Sequence, residues 1–169
     1  MQQAPKPLEF DVTQVENSVG YLLARSRTML SRSVDQALSR AGITHAQGSI
    51  MISLSMNTNV TAATMARDLF IDPAALKRSL DKLEEKGLVR RVADPADRRT
   101  LRLELTEAGR EVAISLPPLY REVLDVALDG FTQEELGFLK CLLRKLLANR
   151  PLLDARDFSC QGNEKPSNE

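Results

Sequence analysis

The segment that decides the fold is IDPAALKRSLDKLEEKGLVRRVADPADRRTLRLELTEAG, residues 71–109. Asp72 followed by Pro73 marks a helix start, because an aspartate there accepts hydrogen bonds from free backbone N–H groups and a proline at the first helical position has no N–H to leave unpaired. Leucines then recur at three- and four-residue spacings, and Gly87 ends the helix. The segment therefore begins with one amphipathic helix.

A two-stranded hairpin follows this helix. Residues 88–93 (LVRRVA) and residues 101–105 (LRLEL) have the composition of strands, and the polar loop DPADRRT, residues 94–100, connects them. Thr61 is a candidate N-cap for a short helix just before the segment. Two short helices and a hairpin form a winged helix-turn-helix, in which the second helix enters the DNA major groove and the hairpin, called the wing, reaches the minor groove.

The chain before this unit is predicted to be helical. A stripe of apolar residues from Asp11 to a stop at Gly42 indicates one helix of nearly thirty residues. Thr44 and Gln47 form a capping box that begins a second helix. A long amphipathic helix needs a large apolar surface to cover its stripe, and a partner subunit is one source of that surface.

The chain after the hairpin is also predicted to be helical. Thr106 begins a tract that Pro117 and Pro118 are expected to kink or split, since each proline lacks an N–H donor and clashes with the preceding turn. Thr132 and Glu135 form a capping box for a last, leucine-dense helix. Together with the first helix, these elements have more apolar surface than one small domain covers, which favours a homodimer over an intramolecular helix bundle.

Composition places the chain among ordinary globular proteins. Its 169 residues, of which 43% are apolar and 27% charged, exclude collagen-like, disulfide-framework and wholly disordered chains. The formal net charge is zero, which by itself argues against a nucleic-acid partner. The charge is unevenly distributed, however, because residues 67–102 and residues 21–45 each carry a net charge of +3 and residues 104–169 carry −4. A basic centre of the chain is therefore compatible with DNA.

Residue counts restrict the chemistry further. The two cysteines, Cys141 and Cys160, and the single histidine, His45, are too few for a disulfide framework or for a zinc site of the usual Cys and His type. No phosphate-binding glycine loop or nucleophile–base pair indicates an enzyme, so we expect no catalytic residues and no metal. The N-terminus lacks a secretory pattern, and no apolar run is long enough to span a membrane. We expect a cytoplasmic protein.

Residues 71–109 resemble the core signature of MarR-type transcription regulators. The shared elements are the recognition helix, the LEEKGLV turn into the first strand, the D-x-x-D-R-R wing tip and the L-x-L-T-x-x-G exit into the next helix. The resemblance implies a mainly α fold with a small β-hairpin wing, made of a winged helix-turn-helix and a helical dimerisation region. The implied division is a flexible arm (1–10), a single domain (11–148) with dimerisation helices (11–41 and 106–148) and the winged helix-turn-helix (44–105), and a disordered tail (149–169).

The same resemblance implies a function and a set of DNA contacts. A regulator of this type is most often a repressor that binds a pseudopalindromic operator in double-stranded DNA as a homodimer. Arg78 then contacts a guanine edge, and Lys77 and Lys82 contact phosphates. In the wing, Arg99 enters the minor groove and Asp97 orients it. The matching positions are Ala74, Ala75, Lys77, Arg78 and Lys82 in the helix and Asp97, Arg98 and Arg99 in the wing tip.

Members of this family commonly release DNA when a small aromatic carboxylate or phenol binds between the dimerisation helices and the winged unit. Ser26 and Ser33 interrupt the apolar stripe of the first helix and His45 lies at the entry of the second, so these three are candidate effector contacts. Helix packing for the serines and simple exposure for His45 are the alternatives. Gly48 stands where the family commonly has a bulky aromatic residue, which predicts either a larger pocket or looser packing.

Two other functions are compatible with the sequence. One is a winged helix that serves as a protein-interaction module, for which the basic residues are incidental. The other is a redox-responsive regulator, because one branch of the family senses oxidants through a cysteine near the N-terminus. This chain has no cysteine there, so such a switch would use Cys141 in the last helix or Cys160 in the tail.

Overall fold

The computed structural model describes residues 12–58, 60–97 and 99–156. These residues form a mainly helical fold with a small antiparallel sheet, as the sequence predicts, and none of their helices is long and apolar enough to cross a membrane. The helices are α1 (Val19–Leu38), α2 (His45–Met56), α3 (Ala62–Leu69), α4 (Pro73–Glu85), α5 (Glu107–Ala127), α6 (Gln133–Ala148) and α7 (Arg150–Asp154). The strands are β1 (Val60–Thr61), β2 (Val89–Ala93) and β3 (Leu101–Leu105).

The first helix is shorter than the sequence pattern predicts. α1 has 20 residues and follows a 3₁₀ segment, Val12–Asn17, in which Gln14 has non-helical dihedral angles. Ser18 is extended and its side chain accepts a hydrogen bond from the Tyr21 backbone N–H at 3.3 Å, so a cap separates the two segments. A second 3₁₀ segment, Ser39–Ala41, follows α1, and Gly42, at φ +69°, ends it. The predicted start at Asp11 and the arm at 1–10 lie outside the described residues.

Local capping signals fix most of the other helix starts. The Thr44–Gln47 and Thr132–Glu135 capping boxes are confirmed, because in each pair the two side chains accept hydrogen bonds from one another's backbone N–H groups. Thr61 also caps its helix, in a box completed by Thr64. These interactions join residues three positions apart, which is why the sequence alone predicts them.

The sheet contains one strand that the sequence pattern misses. β3 is the central strand of the order β1-β3-β2, and both of its neighbours are antiparallel to it. β1 pairs Val60 with Leu103, whereas β2 pairs Arg91 with the same leucine from the other side. Two residues are too few to show alternation, so β1 is recognised only by its long-range pairing.

The predicted tract is not split at the two prolines. α5 continues through Pro117 and Pro118 as one helix of 21 residues. Each proline removes one backbone hydrogen bond, but α5 packs against α1 and α2, and Leu116 beside the prolines is fully buried. Tertiary packing therefore outweighs the local cost of the prolines.

The buried core lies mostly in the winged unit and in the helices packed against it. The predicted apolar stripe of α4 is confirmed, since its three leucines are at most 1% exposed. The side chains with the least exposure are Leu38, Ile50, Met51, Met65, Leu76, Leu80, Leu83 and Leu116. This packing leaves the opposite face of α4 free to contact a partner.

The chain divides into two compact units between Ala127 and Leu128. The boundary falls within the 106–148 region that the sequence treats as one set of dimerisation helices. In the second unit, α6 has no buried residue in the single chain.

Residues 150–154 were expected to belong to a disordered tail, but they form α7. Pro151 stands in the first turn of this helix, and Arg150 pairs with Asp154 at 3.1 Å. The tail beyond Arg156 lies outside the described residues.

Candidate nucleic-acid interface

The start of α4 is fixed by its cap and by the turn before it. The Asp72 carboxylate accepts a hydrogen bond from the Ala75 backbone N–H at 2.9 Å, and Pro73 occupies the first turn. Between α3 and α4 the backbone of Phe70 is left-handed, at φ +55°, and the Ile71 N–H donates to the Ala66 carbonyl at 3.0 Å. The two helices are thus joined by a tight, hydrogen-bonded turn, as a helix-turn-helix requires.

The far end of α4 is held by the start of α5. Gly87 is left-handed, at φ +68°, and the Thr106 hydroxyl donates to its carbonyl at 2.6 Å. Gly109 packs so closely on this turn that a Cβ there would lie 1.9 Å from the Leu88 carbonyl oxygen. Lys86 donates to the Gly42 carbonyl at 2.5 Å. Both ends of α4 are therefore anchored, and its orientation is set by the rest of the unit.

The outward face of α4 carries the predicted basic residues. Lys77, Arg78 and Lys82 are exposed, on the side of the helix opposite its buried leucines. Ala74 is also exposed and Ala75 is partly buried. Within the described part of the chain, no acidic side chain forms an ion pair with any of the three cations. Their charges are available to an external partner.

The base of the wing is closed by an ion pair that the sequence analysis did not identify. Asp94 accepts hydrogen bonds from Arg102 Nε at 2.6 Å and from the Ala96 backbone N–H at 2.7 Å. These bonds stabilise the carboxylate and hold the pKa of Asp94 below its usual value. Because residues 93 and 101 are paired in the hairpin, Asp94 and Arg102 lie diagonally across the two strands. Hairpin register is therefore the signal that would have found this pair.

The wing tip is organised by Asp97, although in a different way from the one expected. Its carboxylate accepts hydrogen bonds from the backbone N–H of Arg99 and from the Thr100 hydroxyl, both at 3.0 Å. Asp97 thus holds the backbone of Arg99 and, in the described part of the wing, forms no ion pair with its guanidinium. Arg99 is exposed, and Arg98 lies outside the described residues.

Most other arginines of the winged unit are neutralised within the chain. The pairs are Arg67–Asp68 at 3.1 Å, Arg90–Glu104 at 2.8 Å, Arg91–Asp81 at 2.6 Å, Arg91–Glu84 and Arg102–Asp94 at 2.6 Å. Four cations, Lys77, Arg78, Lys82 and Arg99, form neither an ion pair nor a side-chain hydrogen bond with any described residue, whereas Lys86 donates to the Gly42 carbonyl. These four are called the free cations below. The positive charge of the winged unit that is not paired within the chain therefore lies on one face of α4 and at the wing tip. This distribution favours a polyanionic partner.

The candidate effector residues do not form one site. Ser33 donates to the Met29 carbonyl within α1, and Ser26 is exposed on the same helix. His45 is instead in contact with Ser31, whose hydroxyl lies 2.9 Å from its Nδ1. The structure therefore separates His45 from both predicted serines and brings it to a third one.

His45 lies in a polar cluster at the junction of α1, α2 and α5. Its backbone N–H donates to Asp35 at 2.6 Å, and its ring meets the Tyr120 ring edge-on, with 5.9 Å between ring centres. Burial lowers the pKa of His45, an effect that Arg27 reinforces and Asp35 opposes. Burial also raises the pKa of Tyr120. Sequence spacing gives no signal for this cluster, because its members come from three helices.

Ser33 lines a groove between α1 and α5. The groove has a volume of about 590 Å³ and is mostly apolar, with Arg40 and Glu122 paired at 3.3 Å on its rim. A second cavity, of about 730 Å³, lies between the end of α2, β3 and α5, with Arg110 and Glu104 among its lining. Either space is large enough for a small organic ligand.

The remaining sequence-based expectations concern the two cysteines and metal binding. Cys141 is exposed on α6, whereas Cys160 lies outside the described residues. Among the residues that the structure describes, no three His, Cys, Asp or Glu side chains are grouped closely enough to hold a metal ion.

Comparison with known proteins gives one consistent family. The family model described as "MarR family" matches residues 43–101, which span α2 to the start of β3. A helix-turn-helix transcriptional repressor of Mycobacterium tuberculosis is 32% identical over 128 residues, which are 76% of this chain and 92% of the relative.

Two solved structures are similar over most of their length. A variant of MarR from Escherichia coli complexed with operator DNA has a TM-score of 0.74 and 27% identity, covering 82% of this chain and 99% of that protein. CouR from Rhodococcus jostii, bound to p-coumaroyl-CoA, has a TM-score of 0.71 and 25% identity, covering 78% of this chain and 93% of that one.

Proposed function

Because the chain belongs to the MarR family, we propose that it is a sequence-specific DNA-binding transcriptional regulator. The observation that carries the proposal is the position of the four free cations. Three lie on the outward face of α4, and Arg99 lies at the wing tip. The similar E. coli protein is complexed with operator DNA.

The two elements have different roles in this proposal. α4 enters the major groove, where Arg78 contacts a guanine edge and Ala74 and Ala75 allow close approach. Lys77 and Lys82 bind phosphates, which position the helix without reading sequence. Arg99, with its backbone held by Asp97, enters the adjacent minor groove, which is narrow and strongly negative where the DNA is A·T-rich.

The active form is proposed to be a homodimer on a pseudopalindromic operator. The support is exposed apolar surface on helices of both units, with Val19 58% exposed on α1 and Phe138 70% and Leu142 64% exposed on α6. Exposed apolar surface of this extent marks a protein interface more often than a free surface. Two copies then present two α4 helices about one helical turn of DNA apart.

The regulator is proposed to act as a repressor that a small aromatic carboxylate or phenol releases from DNA. The M. tuberculosis relative is named a repressor, and the R. jostii neighbour binds an aromatic acyl thioester. The groove that includes Ser33 offers apolar walls, and at its rim Arg40 is in an exposed ion pair with Glu122 that an effector carboxylate would replace. An effector acts only through different affinities for the DNA-bound and free arrangements of the dimer.

The test is selection of duplexes from a random library with the full-length protein. We expect an enriched pseudopalindrome, a protein dimer on each site, and an affinity that falls steeply with salt concentration because bound phosphates release counterions. A panel of aromatic acids and phenols is then added to the complex, and release is followed by fluorescence anisotropy.

The outcomes separate the proposals. Binding without any enriched sequence would contradict sequence-specific regulation, and no salt-dependent binding at all would favour a protein-interaction module. An enriched operator that no compound in the panel releases would overturn the effector class and leave DNA binding intact.

A further inference from the structure

The recognition helix carries acidic residues that its proposed partner should repel. Asp81, Glu84 and Glu85 all lie in the last turns of α4. Each carboxylate adds a negative charge to the helix that faces DNA phosphates, and this charge weakens binding if the side chain stays free. Two of the three are not free, and both have the same partner.

That partner is Arg91, on strand β2 of the wing. Its Nη2 lies 2.6 Å from Asp81 Oδ1, and its Nη1 contacts Glu84 Oε2. The Arg91 side chain is only 28% exposed, so the contact is partly shielded from water. Since Asp81 and Glu84 are three positions apart, they lie on one side of the helix, and the planar guanidinium contacts both at once.

Arg90, the residue before Arg91 in β2, shows that this contact is specific. Neighbouring residues of a strand point to opposite faces, so Arg90 turns away from α4. It instead donates to Glu104 of the paired strand through Nη2 at 2.8 Å and Nε at 3.2 Å. One arginine therefore joins the two strands of the wing to each other, and the other joins the wing to the helix.

We propose that Asp81 and Glu84 are positioning residues for DNA recognition. Through Arg91 they fix the wing relative to α4, so that Arg99 and Arg78 reach their two grooves together. The inference rests on the proposed DNA binding and adds to it the claim that two carboxylates of the recognition helix promote specific binding.

Simple electrostatics predicts the opposite effect of these two carboxylates on DNA affinity. Removing a carboxylate from a DNA-facing surface reduces repulsion and strengthens binding to any sequence. If Asp81 and Glu84 position the wing, their neutralisation weakens specific binding, because the wing and helix no longer hold the spacing that both contacts need. Non-specific binding, which does not depend on that spacing, stays equal or becomes stronger.

The experiment compares D81N/E84Q with the control E85Q. Glu85 is exposed on the same helix and forms no ion pair within the described residues. Affinities of the full-length proteins are measured for the duplex that the parent protein selects and for a scrambled duplex of equal composition. We expect D81N/E84Q to bind the selected duplex about tenfold more weakly, on the order of one lost partly shielded ion pair, and to bind the scrambled duplex at least as tightly as the parent. E85Q is expected to bind both duplexes at least as tightly as the parent.

A double-mutant cycle supplies the second readout. R99A is combined with D81N/E84Q, and coupling between the two sets shows that the carboxylates act through the wing. Equal or stronger specific binding by D81N/E84Q, or strictly additive losses, would overturn the inference. A loss on both duplexes, with a lowered melting temperature, would also overturn it, because it would reduce the role to stability. If the parent protein itself selects no duplex, the result contradicts the proposed DNA-binding function, on which this inference rests.

Discussion

Tyr120 lies directly over Gly48. A Cβ built on Gly48 would come 2.7 Å from the Tyr120 hydroxyl oxygen and 2.8 Å from Leu38 Cδ1. The aromatic side chain of α5 thus fills the space beside this residue of α2. The absence of a bulky residue at position 48 therefore neither enlarges a pocket nor loosens packing, since another part of the chain takes that volume.

This packing predicts the cost of one added methyl group. Alanine gains about 1 kcal/mol of helix propensity over glycine at either position. Gly48→Ala should therefore be about 1–3 kcal/mol less stable to unfolding than a Gly20→Ala protein, because the Tyr120 hydroxyl and the Leu38 methyl must move. Urea unfolding followed by circular dichroism measures the change. Gly20→Ala is the matched control, since nothing lies within 4 Å of the added atom and the site is helical. Equal stabilities of Gly48→Ala and Gly20→Ala would mean that Tyr120 is not fixed in this place.

Arg78 is predicted to read sequence. Arg78→Ala should lower affinity for the selected operator by about 1–3 kcal/mol and relax the preference at one base pair, with a smaller effect on non-specific DNA. Lys82→Ala, one turn further along the same face, should weaken binding to all sequences and reduce the salt slope by about 1. Competition assays over a set of operator variants distinguish the two patterns. Identical profiles for the two variants would contradict the assignment.

Arg99 is predicted to read groove shape. Arg99→Ala should weaken binding most at operators with A·T-rich flanks and least at those with G·C-rich flanks, because a narrow minor groove concentrates negative potential. Affinities for operators that differ only in the flanks provide the measurement. A loss that does not depend on flank composition would leave Arg99 as a phosphate contact.

The apolar face of α6 is predicted to form the dimer interface. Leu142→Glu should shift the protein from dimer to monomer at micromolar concentration, because it puts a charge into a buried apolar contact. Lys145→Gln changes the net charge by the same amount on the same helix and should leave the dimer intact. Sedimentation velocity gives the mass of each. If the Leu142→Glu protein stays dimeric and its DNA affinity is unchanged, the dimer interface does not include this face of α6.

His45 is predicted to make stability depend on pH. Burial lowers its pKa in the folded protein, so the unfolded chain binds the proton more readily. His45 therefore makes its full contribution to the free energy of unfolding above its ordinary pKa of about 6.5. That contribution is lost as the pH falls below this value toward the lower pKa of the folded protein. Asp35, Arg27 and Tyr120 are the titratable neighbours. His45→Gln should flatten the decrease between about pH 7 and pH 5 in urea unfolding, and an unchanged decrease would assign it to carboxylates.

Local signals account for what the sequence predicts well. A cap such as Asp72 or a capping box such as Thr132 with Glu135 involves residues three positions apart, so its interactions can be read from spacing. The apolar stripe of α4 and the hairpin were predictable for the same reason. The candidate DNA residues were located by resemblance, and the structure adds that Lys77, Arg78 and Lys82 share one exposed face.

Long-range contacts account for what the sequence does not predict. α5 passes through Pro117 and Pro118 because α1 and α2 pack against it, and that support lies more than sixty residues away in the chain. The count of charged residues in the winged segment likewise gave a net charge. It did not show which of those residues form ion pairs within the fold. Arg91 and Arg102 count as basic in the sequence, although both are paired with carboxylates. Only the fold identifies the cations that remain.

The strand order has a consequence for solubility. Because β3 is central, β2 is an outer strand of the described sheet, and one row of its backbone hydrogen-bonding groups has no partner strand. Outer strands of this kind can pair with the same strand of another molecule and begin aggregation. β2 is only five residues long, and ion pairs flank it on both faces, Arg90 with Glu104 on one and Arg91 with Asp81 and Glu84 on the other. A short outer strand lined with charged side chains is a poor template for such pairing. The residues that hold the wing in shape therefore also keep it from acting as a template for other copies.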